Sequence, residues 1–443
     1  MKKLVKKNIA AAVTVFAALL TVAALFLGTA AIRQNSDENG ESVPFFEGVF
    51  SVGQKERLTY FDVADGVSAL SKDDVLKYEA KYSYLNTETY YSKLSENERL
   101  LYRIYEYAFE NSVTSFYVRR TLLENTAYND VEVLIFLSLD HPLVEQNFEI
   151  FTSFENPEGI KDVTDENEPA FMHISLPVNS EENFNKKLLA LKRAEEIVGA
   201  VPEDISEREK AFYLYKELCN FCEYKLYSKS DEPICYVYDA LVSGVSHCDG
   251  FANAYSLLLN VAGIPCFEKA HYDEAAKKTA LTVLGGDGKE NSEVYKTPTG
   301  HTWNCFSVYG KFYDADPSYD SKDRLLKRSM SDAFFGFGVP KGFFPEYKTF
   351  DYMELTPECA DTFLEKPDCE FKTAYDGNIE KELYYALKNT ERDYVFIVFS
   401  EETTMDDFRK LAQNLCEYAD IAVYFGRCPS SPVTGYFAVR QTD

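Results

Sequence analysis

Gly244-Val245-Ser246-His247-Cys248-Asp249-Gly250-Phe251-Ala252-Asn253-Ala254 is the stretch on which the reading of this 443-residue chain turns. Behind it, Ala254, Tyr255, Leu257, Leu258 and Val261 recur with the period of a buried helix, and Gly263-Ile264-Pro265 closes the pattern. Gly263 suits the position after a helix end, and Pro265 prevents continuation. Cys248 is therefore expected at or just before a helix N-terminus. There, unsatisfied N–H groups and the macrodipole stabilise a thiolate, the form that attacks carbonyls. Position alone does not separate a nucleophile from a small buried hydrophobe, which is what most free cysteines are.

A second stretch changes that balance: His301-Thr302-Trp303-Asn304-Cys305-Phe306-Ser307-Val308, then Tyr309-Gly310, then Lys311-Phe312-Tyr313-Asp314-Ala315-Asp316-Pro317. Two strand-like runs around a Gly-containing turn predict a hairpin. With a two-residue turn at Tyr309-Gly310, Val308 pairs with Lys311 and Trp303 falls opposite Asp316. Residues two apart share a face, so His301 and Trp303 lie together with Asp316 diagonal to His301, about 7–8 Å away at Cα. Asp314 shares the face but sits one pair further off. The geometry prefers Asp316 as the carboxylate that orients His301.

Gly244-x-x-x-Cys248-x-Gly250-Phe251-Ala252, a Leu-rich helix, Gly263-Ile264, His301-x-Trp303-Asn304 and Tyr313-x-x-Asp316-Pro317-Ser318 together resemble the transglutaminase-like superfamily. The resemblance covers about Ser206–Asp320. It implies a papain-like core with a triad: Cys248 as nucleophile, His301 as general base and acid, Asp316 as its orienting partner. Two positions depart from the usual pattern, Phe251 where Tyr is common and Asp314 inside the aromatic-x-x-Asp motif. The implied chemistry is attack on a protein or peptide amide, giving a thioester that water hydrolyses or an amine takes up. The Cys248 N–H is one candidate for the oxyanion, with Tyr224 a candidate for the second donor. Trp303, the one tryptophan beside 33 Phe and 32 Tyr, is expected to shield the His301–Asp316 contact from water, with packing as the simpler alternative. No cofactor or metal is expected. Two other readings stand beside the enzyme: a noncatalytic binding module of the same family, and a structural cell-envelope protein.

Upstream, Ile9–Ile32 is 24 residues without a charge, long enough at about 1.5 Å per residue to cross the hydrocarbon core of a bilayer. Lys2, Lys3, Lys6 and Lys7 precede it and Asp37, Glu38 and Glu41 follow, so the positive-inside rule places the bulk of the chain outside the cell membrane. Its length favours a retained single-pass anchor. The alternative is a secreted protein cleaved near Gly28–Ala31. Acids outnumber bases 72 to 46, for a formal charge of −26, which excludes a general nucleic-acid binder. The expected partners are a protein or peptide substrate and, through the N-terminal helix, the membrane.

The organisation read from the chain is α+β. A cytoplasmic tail, 1–8, precedes a transmembrane helix, 9–32, and an acidic linker, 33–57. An N-terminal α+β domain, 58–179, precedes the papain-like transglutaminase-like domain, 180–347. The C-terminal extension, 348–443, holds a small α/β unit: strands Tyr394–Phe399, Ile421–Phe425 and Gly435–Val439 around a helix Asp406–Cys416. Capping boxes at Ser95–Glu98 and Ser206–Glu209 open helices, and Asn183–Val198 reads as a third. Val131–Leu139 and Phe171–Leu176 read as buried strands. His141 is expected in a turn, His173 and His271 in structural or surface roles, and His247 in a solvated loop. Cys219-x-x-Cys222 lacks the second close pair of a zinc site. With Cys235 it is read as a structural disulfide or as free packing thiols. The loop 273–299, between nucleophile and base, is expected to line the cleft.

Overall fold

A computed structural model describes residues 35–36, 42–46, 68–70, 75, 78–123, 126–144, 149–154, 171–225, 236–272, 293–296, 300–326, 334–340, 355–360, 364–367, 369–374, 394–399, 421–426 and 436–441. Among these, no helix is long and apolar enough to cross a membrane. The expected membrane helix, 9–32, lies outside them, as do Cys235 and the expected helix Asp406–Cys416.

Helix α1, Glu96–Glu110, starts where the sequence places it. The Glu98 carboxylate accepts from the Ser95 N–H, and the Ser95 hydroxyl accepts in return. Helix α2, Asp130–Asp140, corrects the strand expected over Val131–Leu139. Asn129 and Glu132 form a capping box of their own, and every residue of α2 except Glu132 is buried. A helix buried all round loses the amphipathic period that marks most helices, so its apolar run looks like a strand. His141 caps its C-terminus, fully buried and edge-on to Phe109, so the turn residue is also a core residue. Burial, with the nearby Lys187 charge, pushes its imidazole down to about 3, so it stays neutral.

These helices accompany a seven-stranded sheet. Phe171–Ser175 pairs antiparallel with both Ser115–Arg119 and Glu149–Phe154. His173, on the first of these strands, meets the Ser115 hydroxyl at 2.6 Å and stacks on Tyr117, a structural place. The stretch 33–57, read as a linker, contributes strands Asn35–Ser36 and Ser42–Phe46 to this sheet. A strand of about five residues needs only backbone partners, and Ser42-Val43-Pro44-Phe45-Phe46 supplies that length inside an otherwise acidic segment. The loop 273–299, expected to line the cleft, gives strand Glu293–Lys296 to the far edge, beside Glu149–Phe154.

Helix α3 is Glu181–Gly199 and α4 is Glu207–Phe221, the latter capped by Ser206 and Glu209 as expected. Helix α5, Cys248–Val261, packs on a three-stranded antiparallel sheet of β1, Cys266–Tyr272, β2, Gly300–Val308, and β3, Lys311–Ala315, in the order β3-β2-β1. Gly263 takes φ +78° just past α5, the left-handed position its sequence signalled. The β2–β3 turn has two residues, Tyr309 and Gly310, both at positive φ, and pairs Val308 with Lys311.

The N-terminal region and this core share one cluster of buried side chains running from Val75 to Leu364. Tyr90 donates to the Glu268 carbonyl in β1, and Asn260 of α5 donates to the Leu85 carbonyl. At the C-terminus, Tyr394–Phe399, Ile421–Gly426 and Tyr436–Gln441 form strands, joined by Cys369–Ala374 parallel to Tyr394–Phe399. That fourth strand was not anticipated.

Candidate active site

Cys248 is the first residue of α5, and His247 caps it, its Nδ1 accepting the Asp249 N–H at 3.1 Å. The chain reaches this point through Val245–Ser246, which lies parallel to Glu223–Tyr224. Among the described glycines, Gly250 is the one most closely hemmed in. A Cβ there would meet the Ser246 Oγ at 1.9 Å and the Tyr236 carbonyl at 2.6 Å. The Cys-x-Gly spacing thus reflects a close approach behind the nucleophile. Gly250→Ala is expected to displace the first turn of α5, reducing the yield of folded protein and abolishing labelling of Cys248 in what remains. Normal labelling and an unchanged melting curve would contradict this.

Side chains clamp α5 to the sheet. Asn304 donates to the Ala252 carbonyl and the Ser256 hydroxyl, both at 2.8 Å, and Asn253 donates to Glu268 at 2.8 Å. Thr302, next to His301, donates its hydroxyl to Asp249 Oδ1 at 2.7 Å. Its backbone N–H points at the Cys248 sulfur. These contacts fix the helix start against the residue that follows His301 in β2.

The opposite face of β2 carries His301, Trp303 and Cys305. His301 Nε2 lies 2.7 Å from Asp316 Oδ2, the partnership the hairpin register predicts. Burial alone would raise the Asp316 carboxyl. The His301 charge and hydrogen bond, the Ser318 hydroxyl and Arg324 outweigh it and hold the group below its ordinary value. Asp316 is therefore the acceptor and His301 Nε2–H the donor. The other oxygen, Oδ1, accepts from the Ser318 hydroxyl at 2.6 Å and the Tyr319 N–H at 3.2 Å. The Trp303 ring stacks on His301, 15° from parallel with centroids 6.2 Å apart, and is itself buried.

Cys248 is only 9% exposed. Burial pushes its thiol well above its ordinary pKa, and the neighbouring Asp249 carboxylate adds to this; the Thr302 N–H opposes them. Cys248 Sγ donates toward Asp249 Oδ1 at 3.6 Å. The helix start therefore does not by itself produce a resting thiolate, as the sequence position suggested. Replacing Asp249 with Asn removes a like charge and lowers the thiol pKa, while the amide oxygen still accepts from Thr302. Asp249→Asn is expected to speed alkylation of Cys248 by iodoacetamide at neutral pH by a factor of about 3–10, muted because a less basic thiolate is also less nucleophilic. An unchanged or slower rate would remove Asp249 as the cause.

Tyr224 stacks on Phe251, carries the Arg324 guanidinium 4.3 Å over its ring, and is anchored by its N–H to Asp323 at 2.9 Å. Burial raises its hydroxyl, and a thiolate at Cys248 raises it further, so it remains a neutral donor within electrostatic reach of the sulfur.

Asp314, the rival carboxylate, lies elsewhere. It pairs with the buried Lys269 ammonium at 2.7 Å. Asp249, Ser318, Arg324 and Lys269 were not anticipated. Ser318 was legible in Asp316-Pro317-Ser318, since a hydroxyl two residues past an Asp readily bonds back to it. Arg324 and Lys269 come from other elements and leave no local signal. Among the described residues, soft-cation donors gather twice, as His247, Cys248 and Asp249 and as Cys305, Asp314 and Cys359. In the first group Nδ1 already accepts a backbone N–H, and in the second Lys269 supplies the positive charge. Cys219 and Cys222 are not joined in a disulfide, and their thiols are directed at the Pro317 and Glu223 carbonyls, which favours the packing-thiol reading over the disulfide one for that pair.

Residues 192–317 match the family model described as the transglutaminase-like superfamily, and this part of the chain is a transglutaminase-like domain. No curated protein sequence matches the chain. Among solved structures, the periplasmic domain of TgpA from Pseudomonas aeruginosa, bound to ethylmercury, is similar at 14% identity and TM-score 0.22, over 37% of this chain and 62% of that one. A structure described only as a TGase is similar at 10% identity and TM-score 0.23, over 46% of this chain and 50% of that one. The chain spans 62% and 56% of the two TgpA structures it resembles.

Proposed function

We propose that the domain is a cysteine hydrolase or acyltransferase acting on protein or peptide amide bonds, with Cys248 as nucleophile, His301 as base and acid, and Asp316 orienting His301. The observation that carries this reading is the 2.7 Å His301–Asp316 contact, on the strand whose next residue bonds to the loop-helix junction holding Cys248. With Nε2–H committed to Asp316, Nδ1 is the nitrogen left to accept the thiol proton. Because the resting thiol is held protonated, transfer to His301 accompanies substrate binding and attack. The oxyanion is met by the Cys248 N–H at the helix start, with the Tyr224 hydroxyl as the proposed second donor. His301 then protonates the leaving amine, a thioester remains on Cys248, and water or an amine resolves it.

The site is proposed to work outside the cell membrane, with 9–32 as a single-pass anchor. The uncharged length of that segment and the four lysines before it support this placement. One observation favours a noncatalytic binding module instead: the buried, Asp249-bonded sulfur.

A thiol-directed electrophile separates the two. Labelling at Cys248, lost in Cys248→Ala and shifted in pH profile by His301→Ala, is the expected result. Recovery of an acyl group on Cys248 from a cell-envelope extract would identify the substrate. A folded protein that never labels at Cys248, and whose partner binding survives Cys248→Ala, would make it a module.

A further inference from the structure

Cys305 and Cys359 lie outside the machinery described above, 54 positions apart in sequence, with their sulfurs 3.5 Å apart. Both are free and buried. Cys305 is on β2, on the face of His301 and Trp303. Cys359 belongs to the segment 355–360, which lies against the outer edge of β3: Phe312 and Cys359 form a parallel bridge, and the Ala360 N–H donates to the Phe312 carbonyl at 2.8 Å.

Two charged groups are buried with the sulfurs. Lys269 Nζ lies 2.7 Å from Asp314 Oδ1 and 3.1 Å from Cys359 Sγ. Cys359 Sγ in turn lies 3.3 Å from Asp314 Oδ1. Simple packing would fill this place with apolar side chains, since burying charges carries a desolvation cost. A divalent cation would have to displace the Lys269 ammonium, which already donates to two of the three candidate ligands. The other described thiols point at oxygens: Cys219 at Pro317, Cys222 at Glu223, Cys266 at the Ser256 hydroxyl and Cys248 at Asp249.

We propose that Cys305 and Cys359 are a redox site, closing into a reversible intramolecular disulfide that staples the segment 355–360 to the sheet carrying His301 and Asp316. The sulfurs must approach by about 1.5 Å to reach the bonded distance of about 2.05 Å, a side-chain adjustment. The oxidant is an external disulfide, RSSR. Cys359 sits beside the exposed Glu358 on a peripheral segment, so local opening presents it first. Its sulfur attacks RSSR, breaking the S–S bond, forming a mixed disulfide and releasing one RSH. The negative charge developing on that sulfur is met by Lys269. Cys305 then attacks the Cys359 sulfur and releases the second RSH. Two cysteine thiols are oxidised, RSSR is reduced to two RSH, and the two thiol protons leave on them. None of this depends on the proposed catalytic role of Cys248.

The test uses the full chain. Native protein is equilibrated with oxidised glutathione, remaining thiols are blocked with N-ethylmaleimide under denaturing conditions, and peptides are mapped by mass. The expected product is a peptide pair joining Cys305 to Cys359, two hydrogens lighter than the separate peptides and lost on treatment with dithiothreitol. Cys359→Ser and Cys305→Ser should each lose that pair. The wild-type map alone decides the matter if either variant fails to fold. The proposal is overturned if both residues of oxidised wild-type protein carry the maleimide, if either is found joined to another cysteine, or if purified protein holds stoichiometric zinc that Cys359→Ser loses.

Discussion

Asp316→Asn is expected to slow acyl-enzyme formation on Cys248 with an activated ester by about 10³- to 10⁴-fold at neutral pH, with little change in melting temperature. The size follows from the partners of each oxygen. Oδ1 accepts from Ser318 and from the Tyr319 N–H, and Oδ2 accepts from His301 Nε2. An asparagine has one oxygen and one NH₂. The Tyr319 N–H belongs to the turn after β3 and cannot become an acceptor, so the amide oxygen is drawn to that side. The NH₂ then faces Nε2 and turns it into an acceptor, leaving the proton on Nδ1. That tautomer cannot take a proton from the thiol. Stopped-flow measurement of ester acylation, with circular dichroism to establish that the fold persists, checks it. Acylation within a few-fold of wild type would remove Asp316 from the site.

Asp314→Ala should fail differently, through stability. Lys269 and Asp314 are both deeply buried, their side chains 3% and 7% exposed. Burial by itself would favour a neutral Lys269 amine. Asp314 outweighs it and holds the ammonium well above its ordinary value. Removing one member of such a pair leaves an uncompensated charge, at a cost of about 3–5 kcal/mol. Urea unfolding should show that loss, and the double variant Lys269→Met with Asp314→Leu should recover most of it. Acylation by the folded fraction of Asp314→Ala should stay near wild type. If it instead collapsed with stability intact, the orienting carboxylate would be Asp314.

The contrast between these two acids shows what was legible. Strand alternation puts Asp314, on β3, and Asp316, just past its end, on one face, and the sequence ranks them only by distance from His301. The ranking agrees with the 2.7 Å contact because the turn has two residues, as Tyr309-Gly310 signals. What Asp314 does was invisible, because its partner Lys269 comes from β1 on the far side of β2. The expectation of a thiolate at Cys248 met a similar limit. A helix N-terminus is a local feature, and so is the neighbouring Asp249 carboxylate, whereas the desolvation that keeps the thiol protonated and the Thr302 bond that holds Asp249 arise from packing against β2.

By itself, the sequence determined the elements whose signals lie within a few residues: the capped starts of α1 and α4, the closed end of α5, the hairpin register, and the order Cys248, His301, Asp316. Only the tertiary structure decided that Val131–Leu139 is a helix, that parts of 33–57 and 273–299 join one sheet, and that Cys305, Cys359, Lys269 and Asp314 share a buried cluster. Caps, turns and strand alternation are set by backbone hydrogen bonds between near neighbours. Burial on all sides, strand pairing across long loops and the partner of a buried charge depend on elements far away in the chain, and no local pattern encodes them.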